Sequence, residues 1–363
     1  MHILSTGGSY NDTNGAKKIY LEILRILAIL FVIFNHTGVN GFLLFSKYPN
    51  TSGQFWLYLF TSTFVTCAVP VFFMISGALL LPKDEDLTTL WQKRILPVVI
   101  VLLVFSLWYY FDSISYNLMK VDLEVFFQKL YSTNLKKHLW FLYYYIAFLI
   151  GLPFLRCLVK NLDNKYFLYL LIMSTFMWVL PEFGYLIWDG KFNIHGSIRT
   201  SWMISNNFVS PLLGYYIDKK MNKDNLRRIL PIMWSVSIAL TILVCITTCH
   251  LRIVAGNMPR FFNNTQIINA FSLFATFKWF FAEKQLSLKI QNFICILGGD
   301  VFFIYLMHML VMHSMPMTYL FKQLLSFGMN RFLFIWIFVF LIVAVCEILS
   351  RLMHLLTYCV LKQ

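Results

Sequence analysis

The feature that most limits the fold is the apolar run from residue 19 to 38, which is long enough for a helix to cross a bilayer. Nine comparable runs follow, at 55–81, 95–113, 139–157, 165–187, 197–217, 229–249, 264–282, 293–313 and 332–350. They are continuous rather than alternating, which favours membrane helices over the strands of a barrel. Only 13% of the 363 residues are charged, about half the share of a soluble domain. The expectation is an all-α, polytopic membrane bundle of about ten transmembrane helices. A cytoplasmic segment (1–18) precedes the membrane domain (19–350), and a cytoplasmic tail (351–363) follows it. The first run lacks a small-residue cleavage site and reads as a retained anchor.

The net charge of +14 would suit a nucleic-acid binder in a soluble chain. With this hydrophobicity it indicates basic loops beside the bilayer, and no nucleic-acid partner is expected. With the N-terminus cytoplasmic, 17 of the 30 lysines and arginines fall in inner segments and 11 in outer ones. The bias places both termini in the cytoplasm, in a cell (inner) membrane. A basic loop at 114–138 runs against it. Seven cysteines lie in or beside apolar runs, without Cys-x-x-Cys spacing, and read as unpaired packing residues.

Ionisable residues inside such runs are costly and mark candidate sites. The first run holds Glu22, Arg25 and His36. Arg25 and His36 are eleven positions apart, so both lie on one helix face about 16 Å apart. Glu22 sits one turn before Arg25. Either Arg25 or His36 alone could be a snorkelling or packed side chain; in phase on one helix they read as a site. The ninth run carries Asp300, His308 and His313. Asp300 lies at about the depth of Arg25, so an Arg25–Asp300 pair is expected, with Glu22 the competing local partner. His308 and His313 lack a carboxylate cluster, and no metal is expected.

Other features have packing readings of their own. Ser76-Gly77 allows a close helix approach. Asp84, Glu85 and Asp86 read as a solvated loop. Trp91-Gln-Lys93-Arg94 reads as an anionic-lipid anchor. Trp140 with Tyr143, Tyr144 and Tyr145 reads as an interfacial belt. Arg199, Asn206 and Asn207 make the sixth run polar. Lys278 reads as a snorkelling lysine, and Glu347 as an i,i+4 partner of Arg351.

The Arg-x10-His spacing of the first run resembles the acyltransferase 3 family of integral membrane acyltransferases. Phe72-Phe73-x-x-Ser76-Gly77, His138-Leu-Trp140-Phe-Leu and Ile304-Tyr305-Leu306-x-His308 are similar to further motifs of that family, in the same order. Trp91 stands where the family's basic stretch begins, so Arg94 carries over, with Lys93 beside it. The resemblance, nearest to the surface-polysaccharide O-acetyltransferase branch, implies transfer of an acyl group, with acetyl from cytoplasmic acetyl-CoA the expectation. The implied acceptor is a hydroxyl of a surface polysaccharide or its lipid-linked precursor. His36 is then the base and Arg25 the catalytic cation, with Arg25, Arg94 and Lys93 on the donor. Trp140, His308, Ser76 and Asp300 are secondary candidates. Many relatives append an extracytoplasmic hydrolase-like domain; here the expectation is that the membrane domain completes the transfer. An exporter of polysaccharide or lipid-linked sugar would also suit polar, interrupted spans.

Overall fold

The computed structural model describes residues 18–117, 122–133, 135–189, 195, 205–255, 266–326 and 330–361, and every long regular element among them is a helix. In order they are α1 (Ile19–Asn35), α2 (Gly53–Val65), α3 (Ala68–Leu80), a short α4 (Leu87–Leu90), α5 (Leu96–Asn117), α6 (Leu123–Ser132) and α7 (Trp140–Asn161). Then come α8 (Asn164–Trp188), α9 (Asn206–Lys220), α10 (Lys223–Ala255), α11 (Gln266–Phe281), α12 (Leu288–His313), α13 (Met315–Ser326) and α14 (Arg331–Leu361).

Among the described residues seven helical segments are long and apolar enough to cross a membrane: Gly53–Leu80, Leu87–Asp112, Lys137–Asn161, Asn164–Trp188, Lys223–Ile253, Leu288–His313 and Arg331–Leu355. The chain is thus a multi-pass helical membrane protein. The other three expected spans form shorter helices: α1 has 17 residues, α9 has 15 and α11 has 16. For α1 the reason is visible, since none of its residues is exposed. A helix enclosed by other helices need not match the hydrocarbon thickness itself. Arg199 and the Asn206 side chain lie outside the described residues.

The chain divides into two compact units, one running to Leu79 and resuming at Leu162, the other Leu80–Asn161. In the first, α1 is the buried axis. Leu24, Ile29 and Ile33 are fully enclosed, and the longest seam of α1 runs along α12, with α11, α14 and α2 also against it. Phe34 stacks on Trp336 of α14, ring centroids 4.9 Å apart. Helices α3 and α9 cross closely. A Cβ on Gly77 would lie 1.9 Å from the Pro211 carbonyl oxygen, and one on Gly214 2.0 Å from that of Met74. Ser76-Gly77 is therefore a helix crossing, and the Ser76 hydroxyl donates back to the Phe72 carbonyl at 2.9 Å. A buried polar seam joins α10 to α11: Ser237 donates to Asn269 at 2.6 Å and Trp234 to Thr276 at 2.8 Å.

Lys278 does not snorkel. Its ammonium donates to the carbonyls of Ile217, Asp218 and Met221, at 2.7–2.9 Å. The last carbonyls of a helix have no intrahelical donor and attract a cation, so Lys278 closes the end of α9. Lys18 holds the Asp218 carboxylate at 2.8 Å, and Tyr20 donates to the same group.

In the second unit, α4 runs into α5 through a widened π turn, Trp91–Ile95. Pro97 explains it: proline has no N–H for the Lys93 carbonyl and its ring crowds that oxygen. The Leu96 amide accordingly donates five residues back, to Trp91. The expected loop at 114–138 holds a helix, α6, whose Asp122 carboxylate accepts from the Val125 amide at 3.1 Å.

Candidate active site

Arg25 enters the site from the second turn of α1. Its Nη1 donates to both oxygens of Glu22, at 2.7 and 2.9 Å, and Nε and Nη2 have no hydrogen-bond partner among the described residues. Both side chains are largely buried, 17% exposed for Arg25 and 9% for Glu22. Glu22 fits against α12 because residue 298 is glycine: a Cβ there would lie 2.4 Å from Glu22 Oε2. The Arg25–Asp300 pair expected from sequence is not formed. Asp300 pairs with Arg351 at 3.2 Å and His354 at 3.5 Å, and Arg351 also binds Glu347 at 2.6 Å. Depth along the helices brought Asp300 level with Arg25, but the i,i+3 carboxylate meets the guanidinium with no change of helix face.

His36 closes α1, its amide bonding back to the Ile33 carbonyl and the next amide, of Thr37, to that of Phe34. The turn that follows is fixed. Thr37 donates to the Phe34 carbonyl at 2.6 Å and accepts from the Phe42 amide at 2.8 Å. Gly38 has φ of +60°, where a side chain is disfavoured. Ser62 of α2 binds the Phe42 carbonyl at 2.5 Å, and Arg252 of α10 binds the carbonyls of Tyr48 and Ser46 at 2.9 and 3.3 Å. Opposite His36 stands His308 of α12, the ring centroids 5.2 Å apart and tilted by 41°. His308 is wholly buried. Its Nδ1 lies 2.6 Å from the Tyr305 carbonyl oxygen. A carbonyl can only accept, so Nδ1 carries a proton, and in the neutral form of the ring the lone pair is on Nε2.

The second unit holds the remaining candidates. Glu85 is a bridge rather than part of a solvated loop. Its carboxylate receives Arg94 at 2.7 Å and Arg156 at 2.9 Å, and Lys83 approaches to 4.0 Å. Arg156 also donates to the carbonyls of Leu80 and Glu85. Partial burial opposes ionisation of Glu85, but the hydrogen bonds from Arg94 and Arg156 outweigh it and hold its carboxyl below the usual range. Asp84 is exposed, and Asp86 caps α4 by accepting from the Thr89 amide at 3.3 Å. Arg94, expected to face a donor phosphate, is thus engaged with Glu85, while Lys93 is exposed. Trp140 begins α7 with its ring edge-on to Tyr144 at 5.4 Å, and His138 is buried edge-on to Tyr109 at 5.0 Å.

A family model described as an acyltransferase domain matches residues 18–351. The chain belongs to the acyltransferase 3 family. No curated protein and no solved structure shows significant similarity to it. Membership makes the chain a membrane acyltransferase, and the match covers every candidate site residue discussed above. Of the candidates read from sequence, His36 and His308 meet, Arg25 shares the α1 axis with His36, and Asp300 belongs to a separate cluster with Arg351. Sequence reading passed over Arg156 and Gly298. Arg156 was legible as an arginine at the end of an apolar run, whereas a glycine on an unremarkable face gave no signal.

Proposed function

We propose that this acyltransferase moves an acetyl group from cytoplasmic acetyl-CoA to a hydroxyl of a cell-surface polysaccharide or its lipid-linked precursor. The observation that carries the reading is the pair of imidazoles at the end of α1, on the helix that also holds a half-engaged arginine. His36 removes the proton of the attacking hydroxyl, a contribution worth about a hundredfold or more. Arg25 meets an anion of the donor through its remaining N–H groups, with Glu22 fixing the guanidinium. The roughly 16 Å of helix from Arg25 to His36 is close to the reach of a pantetheine arm. A donor anchored at the cytoplasmic end would thus present its thioester near the other end. Arg94, Lys93, Trp140 and Ser76 stay secondary. Arg94 would need release from Glu85 to meet a phosphate, and Ser76 reads as a packing residue.

The exporter reading is separated by one assay. Protein in nanodiscs should release free CoA thiol from acetyl-CoA when acceptor glycan is present. Glycan moved across sealed vesicles with no thiol released would replace the proposal by the exporter.

A further inference from the structure

We propose that His308 is the partner of the base: it shares the proton that His36 takes from the acceptor hydroxyl until the departing thiolate collects it. The inference rests on the acyl-transfer reading. Rings with centroids 5.2 Å apart need only a ring rotation to bring two nitrogens to hydrogen-bond length, about 3 Å. The Tyr305 carbonyl fixes which nitrogen of His308 is basic. Full burial of His308 makes an isolated imidazolium costly, and two adjacent rings spread that charge.

The step balances. The hydroxyl oxygen bonds to the acyl carbon as its proton passes to His36, and the carbon–sulfur bond breaks with its electron pair on sulfur. The proton held between His36 and His308 then returns to the thiolate, releasing ester and CoA thiol. His308 acts through His36 and is a positioning residue rather than one that touches substrate.

His308→Asn isolates this role. The carboxamide still donates to the Tyr305 carbonyl and fills most of the ring's space, but nothing stands where Nε2 was. The expected result is a folded protein with KM for acetyl-CoA within about twofold of the parent and kcat lowered about tenfold or more. A folded His308→Asn protein with the parental kcat overturns the proposal. Should that variant not fold, 15N-histidine NMR of the parental protein decides, with His36→Ala as assignment reference. The proposal requires His308 with Nδ1 protonated and Nε2 bare; the opposite tautomer overturns it. A His36→Ala protein with parental turnover would instead defeat the acyl-transfer reading, whatever His308 does.

Discussion

At the scale of single residues, Arg25 is half committed. Glu22 takes one nitrogen of its guanidinium, which fixes the plane and leaves other donors for a ligand. Arg25→Ala should therefore raise KM for acetyl-CoA more than it lowers kcat, and Arg25→Lys should recover part of the loss, keeping the charge without the planar fork. Asp300→Asn should not rescue Arg25→Ala, because Asp300 belongs to Arg351; thermal unfolding of the double variant checks this. Arg25 and His36 were legible in the sequence because a charge or imidazole in an apolar helix is conspicuous. Their partners were not. Spacing gives depth along a helix, but which faces of α1 and α12 meet is set by packing, so His308 surfaced only as a motif residue and Asp300 was matched to the wrong arginine.

At the scale of elements, two glycines hold helices together with different consequences. At Gly77 an added Cβ would strike the Pro211 backbone. Backbone cannot step aside, so Gly77→Ala should part α3 from α9 and lower stability by about 1–3 kcal/mol or more. At Gly298 the nearest obstacle is the Glu22 carboxylate, with the Glu22 Cβ at 3.0 Å behind it; the carboxylate can swing away and take Arg25 with it. Gly298→Ala should cost less stability and raise KM for acetyl-CoA. Unfolding midpoints and steady-state kinetics of both variants separate the cases. The helices themselves were largely readable, since long apolar runs admit little else in a membrane. Lys278 at the end of α9 was not, because a snorkelling lysine and a capping lysine share one local sequence, and only α9 makes the difference.

At the scale of the whole molecule, seven segments qualify as spans by length and composition, and the buried α1 shows why a count from apolar runs alone is loose. If α1, α9 and α11 also cross, both termini share one side, and we propose from the basic residues that it is the cytoplasmic one. Lys47 and Lys223 are exposed and bear on this orientation; among the described residues they bond to Asn40 and Glu283. In a cysteine-free background an impermeant thiol reagent should label Lys47→Cys and not Lys223→Cys; the reverse pattern inverts the topology. The Leu80–Asn161 unit carries its own pH dependence. The depressed Glu85 carboxyl means its arginine bridge is fully present above the ordinary glutamate range, about pH 4.3. It is lost as the pH falls below that range. Hydrogen-exchange protection in this unit, corrected for the intrinsic exchange rate at each pH, should fall below that range, and Glu85→Gln should show the lower protection already at neutral pH.

The central claim is that His36 performs acyl transfer as the base on the acceptor hydroxyl. Its most direct test is the initial rate of labelled acetyl transfer from acetyl-CoA to acceptor glycan by parental and His36→Ala protein in nanodiscs, with folding and acetyl-CoA binding checked for both. The expected result is intact folding and binding in His36→Ala with transfer reduced about a hundredfold or more. Transfer by a folded His36→Ala protein at near the parental rate would contradict the account.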